Sequence, residues 1–193
     1  GELLSASSAV FVKSYGKGSL STASMRGVGA SHTRVLWNGF SINSPMLGQV
    51  DLSQIPVTFV DDISLLYGSN SLLLSAGALG GSVVVSNRPF RPDEPMFNFT
   101  QVIGSYGTYN SSLNVNLSTA KFASDTRFIF QTSENDFDYY NNGILPSEWM
   151  TQQNASYQNT GFPQQFSYIP ARNHFISFIT WNQWNTRDIP PIM

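Results

Sequence analysis

The stretch from Ile63 to Asn87, ISLLYGSNSLLLSAGALGGSVVVSN, constrains the fold more than any other part of the chain. Ile63–Tyr67 and Ser82–Ser86 have the Val, Ile and Ser texture of strands. Gly68, Gly77, Gly80 and Gly81 supply sharp turns that a residue with a Cβ would resist. A strand pair with glycine at its elbows suits a domain packed closely against another backbone. The rest of the chain is short of charge. Charged residues make up 11% of the 193, against about 25% in typical soluble domains. Ser, Asn, Thr, Gln and Gly take their place, which is wrong for a cytosolic enzyme. An aromatic content of 13% excludes a disordered chain. This balance fits a protein whose surface partly meets something other than bulk water.

Other classes fall away quickly. The net charge of −2 gives no footprint for nucleic acid. There is no cysteine, which excludes disulfides, zinc–thiolate sites and cysteine nucleophiles. The longest apolar stretch, Leu72 to Val85, is broken by Ser75, Gly77, Gly80, Gly81 and Ser82, so the roughly 20 apolar residues of a membrane helix are not found. No signal peptide is visible, and Gly1-Glu2-Leu3-Leu4 begins as a trimmed chain would.

Two halves differ in pattern. Residues 1–88 are turn-rich, with short strand pieces such as Val10–Lys13 and the Asn38-Gly39 turn signal. Asp51 is a candidate cap for a short helix or turn at Leu52–Ile55. Residues 89–95 hold three prolines and read as an extended linker. Residues 96–193 alternate. Tyr109, Leu113, Val115 and Leu117 share one face of a strand, and Asn110, Ser112, Asn114 and Asn116 share the other. Phe97, Phe99 and Ile103, then Phe128 and Phe130, then Phe162, Phe166 and Tyr168 mark further strands, with a fifth over His174–Trp184. Short turns at Ala120–Ser124 and Pro170–Asn173 alternate with a long loop, Asp138–Ser156.

Apolar on one face and uncharged polar on the other is the pattern of a transmembrane β-strand. Lipid offers the backbone no hydrogen bonds, so such strands must pair into a closed barrel. A water-soluble β-sandwich also alternates and stays open on pattern alone. The scarcity of charge on the polar face favours the barrel wall. Five strands are too few to close one, since known barrels have about 8 or more. Tyr106, Tyr109, Tyr168, Trp181 and Trp184 fall near strand ends, as an interfacial girdle would, or as cross-strand packing in a soluble sheet.

Several motifs in order then resemble one family. Ser24-Met25-Arg26-Gly27, Ala30 to Gly39, Asp51 to Pro56, Val60 to Gly68 and Ala78-Leu79-Gly80-Gly81 are similar to the plug domain of TonB-dependent outer-membrane receptors, over about residues 9–88. The likeness is greatest to the cobalamin-receptor branch, and the strand half has the texture of Bacteroidetes members. The resemblance implies a mainly β chain. A small mixed α/β plug precedes the first five or so antiparallel strands of a barrel of about 22 strands. It implies energy-coupled uptake of a scarce nutrient such as a corrinoid, a siderophore or a similar chelate, with no covalent chemistry, no enzyme activity, no cofactor and no metal site. The implied partners are TonB (through a segment outside these residues), the remaining strands of the same barrel, outer-membrane lipid and the small ligand. A surface lipoprotein is a further candidate.

The resemblance also implies residue roles. Arg26, read as lying in a plug strand, would latch the plug to carboxylates of the barrel wall through bidentate hydrogen bonds. Asn43, Ser44, Met46 and Gln49 would face ligand from an apical loop, and Tyr15 and Lys17 from another. Their amide, hydroxyl and thioether groups suit a neutral ligand that forms hydrogen bonds. Three positions depart from the family pattern: Asn38 for the usual Asp, Leu74-Ser75 for Tyr-Gly, and Leu66-Tyr67 where a basic residue is expected. Each removes a polar anchor, which permits an alternative role as a transport-inactive structural subunit of an outer-membrane complex. Asp61-Asp62 point to opposite faces of a strand and cannot share a substrate. His32 and His174 are the only histidines, too few for a metal site.

Overall fold

The computed structural model describes residues 8, 10–16, 18–67, 78–87, 95–143, 145–171 and 173–190. Lys17, Gly68, Leu74-Ser75, Gly77 and most of the proline linker lie outside the described residues. The chain forms two compact units, Gly1–Arg88 and Pro89–Met193.

In the first unit, β1 (Phe11–Ser14) and β2 (Ser21–Ser24) form an antiparallel hairpin. A second sheet holds β3 (Thr33–Trp37), β4 (Phe40–Ser41), β5 (Asp62–Leu66) and β6 (Gly81–Ser86) in the order β4-β3-β6-β5. β3 and β6 run parallel; the other pairs are antiparallel. The two strands expected on either side of the glycine-rich stretch are therefore β5 and β6, paired with each other. Alternate residues of this sheet, Val35, Val83 and Val85, meet Val10, Ala23, Met25 and Leu52 in a closed core. Each large apolar side chain there contributes about 1.5–3 kcal/mol when fully buried.

Two details explain the sequence there. Gly81 has φ +141°, and a Cβ on it would stand 2.9 Å from both the Leu66 carbonyl oxygen and the Met25 sulfur. Glycine is thus what lets Met25 close over the start of β6. Asn38 (φ 48°) and Gly39 (φ 88°) form the β3–β4 turn, and both take the left-handed conformation that a tight hairpin demands. Asp51 caps the 3-10 turn Leu52–Gln54 by accepting from Ser53 N (3.0 Å). The same oxygen accepts from Ser21 N (3.0 Å), so one carboxylate joins the turn to β2.

The second unit is an antiparallel meander. It holds β7 (Met96–Gly104), β8 (Thr108–Ser118), β9 (Phe122–Ser133), then β10 (Asp138–Asn141) and β11 (Glu148–Thr151), then β12 (Tyr157–Tyr168) and β13 (Ile176–Arg187). Five of these make one sheet in the order β13-β12-β9-β8-β7. Among the described residues, β10 and β11 pair only with each other. The segment expected as a long loop, Asp138–Ser156, is therefore mostly a projecting hairpin. The expected fifth strand starts at Ile176 rather than His174.

Register puts the expected apolar sets on one face. Phe97, Phe99 and Ile103 pair with Val115, Leu113 and Tyr109, and Leu113 pairs with Phe128. The opposite face carries Asn98, Asn114 and Arg127 in one cross-strand row. Every residue of β7 is exposed. Among the described residues, no helix is long and apolar enough to cross a membrane.

Candidate functional site

In the first unit, loops gather where β3 and β6 begin. Met25 lies against Gly81, and Thr33 pairs with Gly81. Asn43 is bonded to Thr33, and Gly48 packs against Ser31, where an added Cβ would be 3.2 Å from the Ser31 Cβ. The Arg26 turn, the Ala30–His32 turn and the 43–49 loop therefore share this end of the sheet.

Arg26 is not in a strand. It follows β2 with φ 55°, ahead of Gly27 at φ 74°. That left-handed pair turns the chain and leaves the guanidinium exposed, 5.7 Å from the centre of the Tyr67 ring. Tyr67, read from the sequence as a lost basic anchor, is thus an aromatic partner for Arg26.

Asn43 is not a surface group. It is buried, and its amide is fully engaged. Oδ1 accepts from Val35 N (2.8 Å) and Ser41 Oγ (3.4 Å). Nδ2 donates to the Thr33 and Gly48 carbonyls at 3.0 and 2.8 Å. Those bonds staple the loop to β3 and leave no capacity for a ligand. Ser44 Oγ accepts from Leu47 N (3.3 Å), and the Ser44 and Gln49 backbones are bonded across the loop (3.0 Å). What the stapled loop presents is Met46, 94% exposed, with Leu47 beside it.

Tyr15 is not part of this group. It stands at the tip of the β1–β2 hairpin, with Lys13 Nζ 4.9 Å from its ring centre. That tip and the Met25 end of β2 are separated by the strand itself, about 13 Å for four residues. The ligand set expected from the sequence therefore splits in two, and only Ser44, Met46 and Gln49 remain with Arg26.

The Asn38 departure keeps its anchor. Asn87 N donates to Asn38 Oδ1 (2.8 Å), and Asn38 Nδ2 donates to Asn87 Oδ1 (3.1 Å). Trp37 Nε1 also donates to Asn87 Oδ1 (2.8 Å), and Asn87 Nδ2 reaches the Phe59 carbonyl (2.7 Å). An aspartate at 38 could accept but not donate, so asparagine completes the exchange. The sequence showed the substitution but not its partner, which lies 49 residues away.

On the polar face of the second unit, Arg127 is buried and forms a 2.7 Å ion pair with Asp125 two residues back. Gln131, Asn159, Gln183 and Trp181 form a chain of side-chain bonds across β9, β12 and β13, at 3.2, 2.9 and 2.8 Å. Among the described residues, the enclosed amide oxygens of Asn110, Asn114 and Asn116 have no hydrogen-bond partner. Among the described residues no cluster of His, Cys, Asp or Glu could hold a metal.

Known proteins agree with this arrangement. Residues 1–82 match the family model of the TonB-dependent receptor plug domain. The vitamin B12 transporter BtuB of Photobacterium profundum is 36% identical over 100 residues, covering 52% of this chain and 16% of that protein. Among solved structures, the copper transporter OprC superposes with a TM-score of 0.73 at 16% identity, over 92% of this chain and 26% of that one. The siderophore receptor PirA of Acinetobacter baumannii gives 0.63 at 16% identity, over 91% and 27%. The chain thus spans about a sixth of the curated relative's length. Residues 1–82 thus match the plug domain of TonB-dependent receptors, and the chain as a whole has the fold shared with the solved transporter and receptor.

Proposed function

We propose that the protein takes up a scarce nutrient across the outer membrane, with the plug as gate and TonB as the source of work. The observation that carries this reading is the presence of two kinds of unit in one chain. One is a plug fold with a stapled loop end; the other is a meander with an apolar and an uncharged polar face. The likeness to a vitamin B12 transporter supports a corrinoid as ligand, and the siderophore receptor supports a chelate more broadly.

Arg26, Ser44, Met46 and Gln49 form the plug's share of the functional surface in this proposal, with Arg26 latching the plug to carboxylates of the wall. Residues 1–88 are the plug, 89–95 the linker and 96–193 wall strands. The reciprocal Asn38–Asn87 bonds remove one ground for a transport-inactive subunit, because the expected loss of an anchor there does not occur. Cells carrying the full-length receptor should accumulate labelled corrinoid, and should stop when TonB is deleted. Uptake that persists without TonB would overturn the reading.

A further inference from the structure

The β10–β11 hairpin carries two exposed aromatic rings and a carboxylate on one face. Register pairs Asp138 with Thr151 and Tyr140 with Trp149, and alternation puts these four residues on the same side. Trp149 is 72% exposed and Tyr140 50%. Their ring centres are 5.6 Å apart, with the planes tilted by 58°. Tyr140 Oη donates to the Ser147 carbonyl (3.4 Å), which orients that ring. Thr151 Oγ1 donates to Asp138 Oδ1 (2.7 Å), which holds the carboxylate beside the rings. A carboxylate offers about four lone-pair sites, so capacity remains for a ligand. Asp138 and Trp149 are diagonal neighbours, about 7–8 Å apart, a span that one ligand group can bridge.

The hairpin stands on a fixed root. Gln152 N donates to the Phe137 carbonyl (2.9 Å), and the Phe137 ring meets Tyr106 edge-on with centres 6.0 Å apart. Asn135 Nδ2 donates to the Ala155 carbonyl (3.0 Å). Ser133 Oγ lies 2.9 Å from Thr108 Oγ1 and donates to the Tyr106 carbonyl (3.0 Å). A two-stranded hairpin alone is marginal in water. These bonds tie its root to the turn joining β7 and β8, so the ring pair is presented ready-made and a ligand need not order it.

Charge selects the occupant. From Phe128 to Ala171 the sequence has four acidic residues, Glu134, Asp136, Asp138 and Glu148, and no Lys or Arg. An anion is repelled there, and a neutral ring gains nothing from the carboxylate. Among the described residues no three of His, Cys, Asp or Glu converge, so an inorganic divalent ion lacks its usual set of oxygen ligands. A cation with an alkyl coat uses every part of the face. We propose that the hairpin binds an organic cation of the alkylammonium class, with its charge beside Asp138 and its alkyl groups over Trp149 and Tyr140. The site's outward place rests on the wall reading above. Residues 134–156 are the longest connection of the meander, and the longer connections of a membrane barrel are external.

The test is saturation-transfer NMR on the purified full-length receptor, with choline as the probe. Choline should bind, and its uncharged carbon isostere, dimethylbutanol, should bind about tenfold more weakly. Trp149→Leu keeps apolar area but removes the ring, and should weaken choline about tenfold; Trp149→Phe should recover part of the loss. Asp138→Asn should weaken choline roughly fivefold and leave the isostere unchanged. All three side chains are exposed, so heat-modifiable migration of the barrel should stay as it is. No choline binding, equal binding of the isostere, or full affinity in Trp149→Leu would overturn the proposal. Labelling of Leu145→Cys by an impermeant maleimide on intact cells, on a cysteine-free background, separates the two levels. Absence of label would overturn the wall reading and the outward place that rests on it. Label without choline binding would overturn the cation site alone.

Discussion

The two units use similar strand residues and bury them in opposite senses. In the first, β6 is buried at four of its six positions, and Val83 and Val85 join Met25 and Leu52 in a closed core. In the second, β7 exposes all nine of its residues, and Phe97, Phe99 and Ile103 point away from the sheet, each more than half exposed. A core closed within one unit is the solution for water. An apolar face left open across several strands is a liability in water and a fit in hydrocarbon. The contrast says that one sequence prepares two units for two solvents.

That contrast can be broken at its strongest point first. Val83→Asp places an unpaired charge in the closed core, where removal from water costs several kcal/mol. The plug should unfold within the receptor, seen as loss of amide protection in β3 and β6 while β8 and β9 stay protected. On the other side, Leu113→Arg should cost roughly 2–4 kcal/mol in a lipid bilayer. Folding titrations into vesicles would show it, and an unchanged midpoint would argue that Leu113 does not face lipid.

Asn43→Ala sharpens the plug side. It leaves Val35 N and the Thr33 and Gly48 carbonyls without partners, a loss of about 1–3 kcal/mol. The 43–49 loop should lose exchange protection, and ligand affinity should fall with it. Met46→Ala is the matched control. Its side chain is almost wholly exposed, so stability should hold within about 0.5 kcal/mol while ligand affinity drops. Arg26→Ala carries the smallest structural effect: it should loosen the plug and raise antibiotic leakage through the full-length receptor. An unchanged leakage rate would contradict the latch.

What the sequence reveals follows from the range of the interactions involved. Tyr109 to Leu117 is readable because a strand repeats every two residues, and the repeat is local. Gly80-Gly81 is readable because glycine marks a backbone need. The hairpin β10–β11 escapes because DYYN and EWMT are four residues each, too short to show a period; Asn142-Gly143 between them is the available turn signal. Arg26 reads as part of a strand because its neighbours look extended. Its left-handed turn is a property of the Arg26-Gly27 pair, at which the glycine hints. Asn43 misleads for a deeper reason. An amide in a polar loop looks exposed by composition, and only its bonds to Val35 and Thr33 turn it inward.

The central claim, one unit closed for water and one face open to lipid, can be read from single nitroxide labels on the full-length receptor in bilayers. Labels at Leu113 and Asn114 are adjacent in sequence and opposite in face. The account predicts that a label on Leu113→Cys is accessible to oxygen and shielded from a water-soluble nickel reagent. A label on Asn114→Cys should show less oxygen access. Equal access of the nickel reagent to both labels would mean that the second unit stands in water, and would contradict the account.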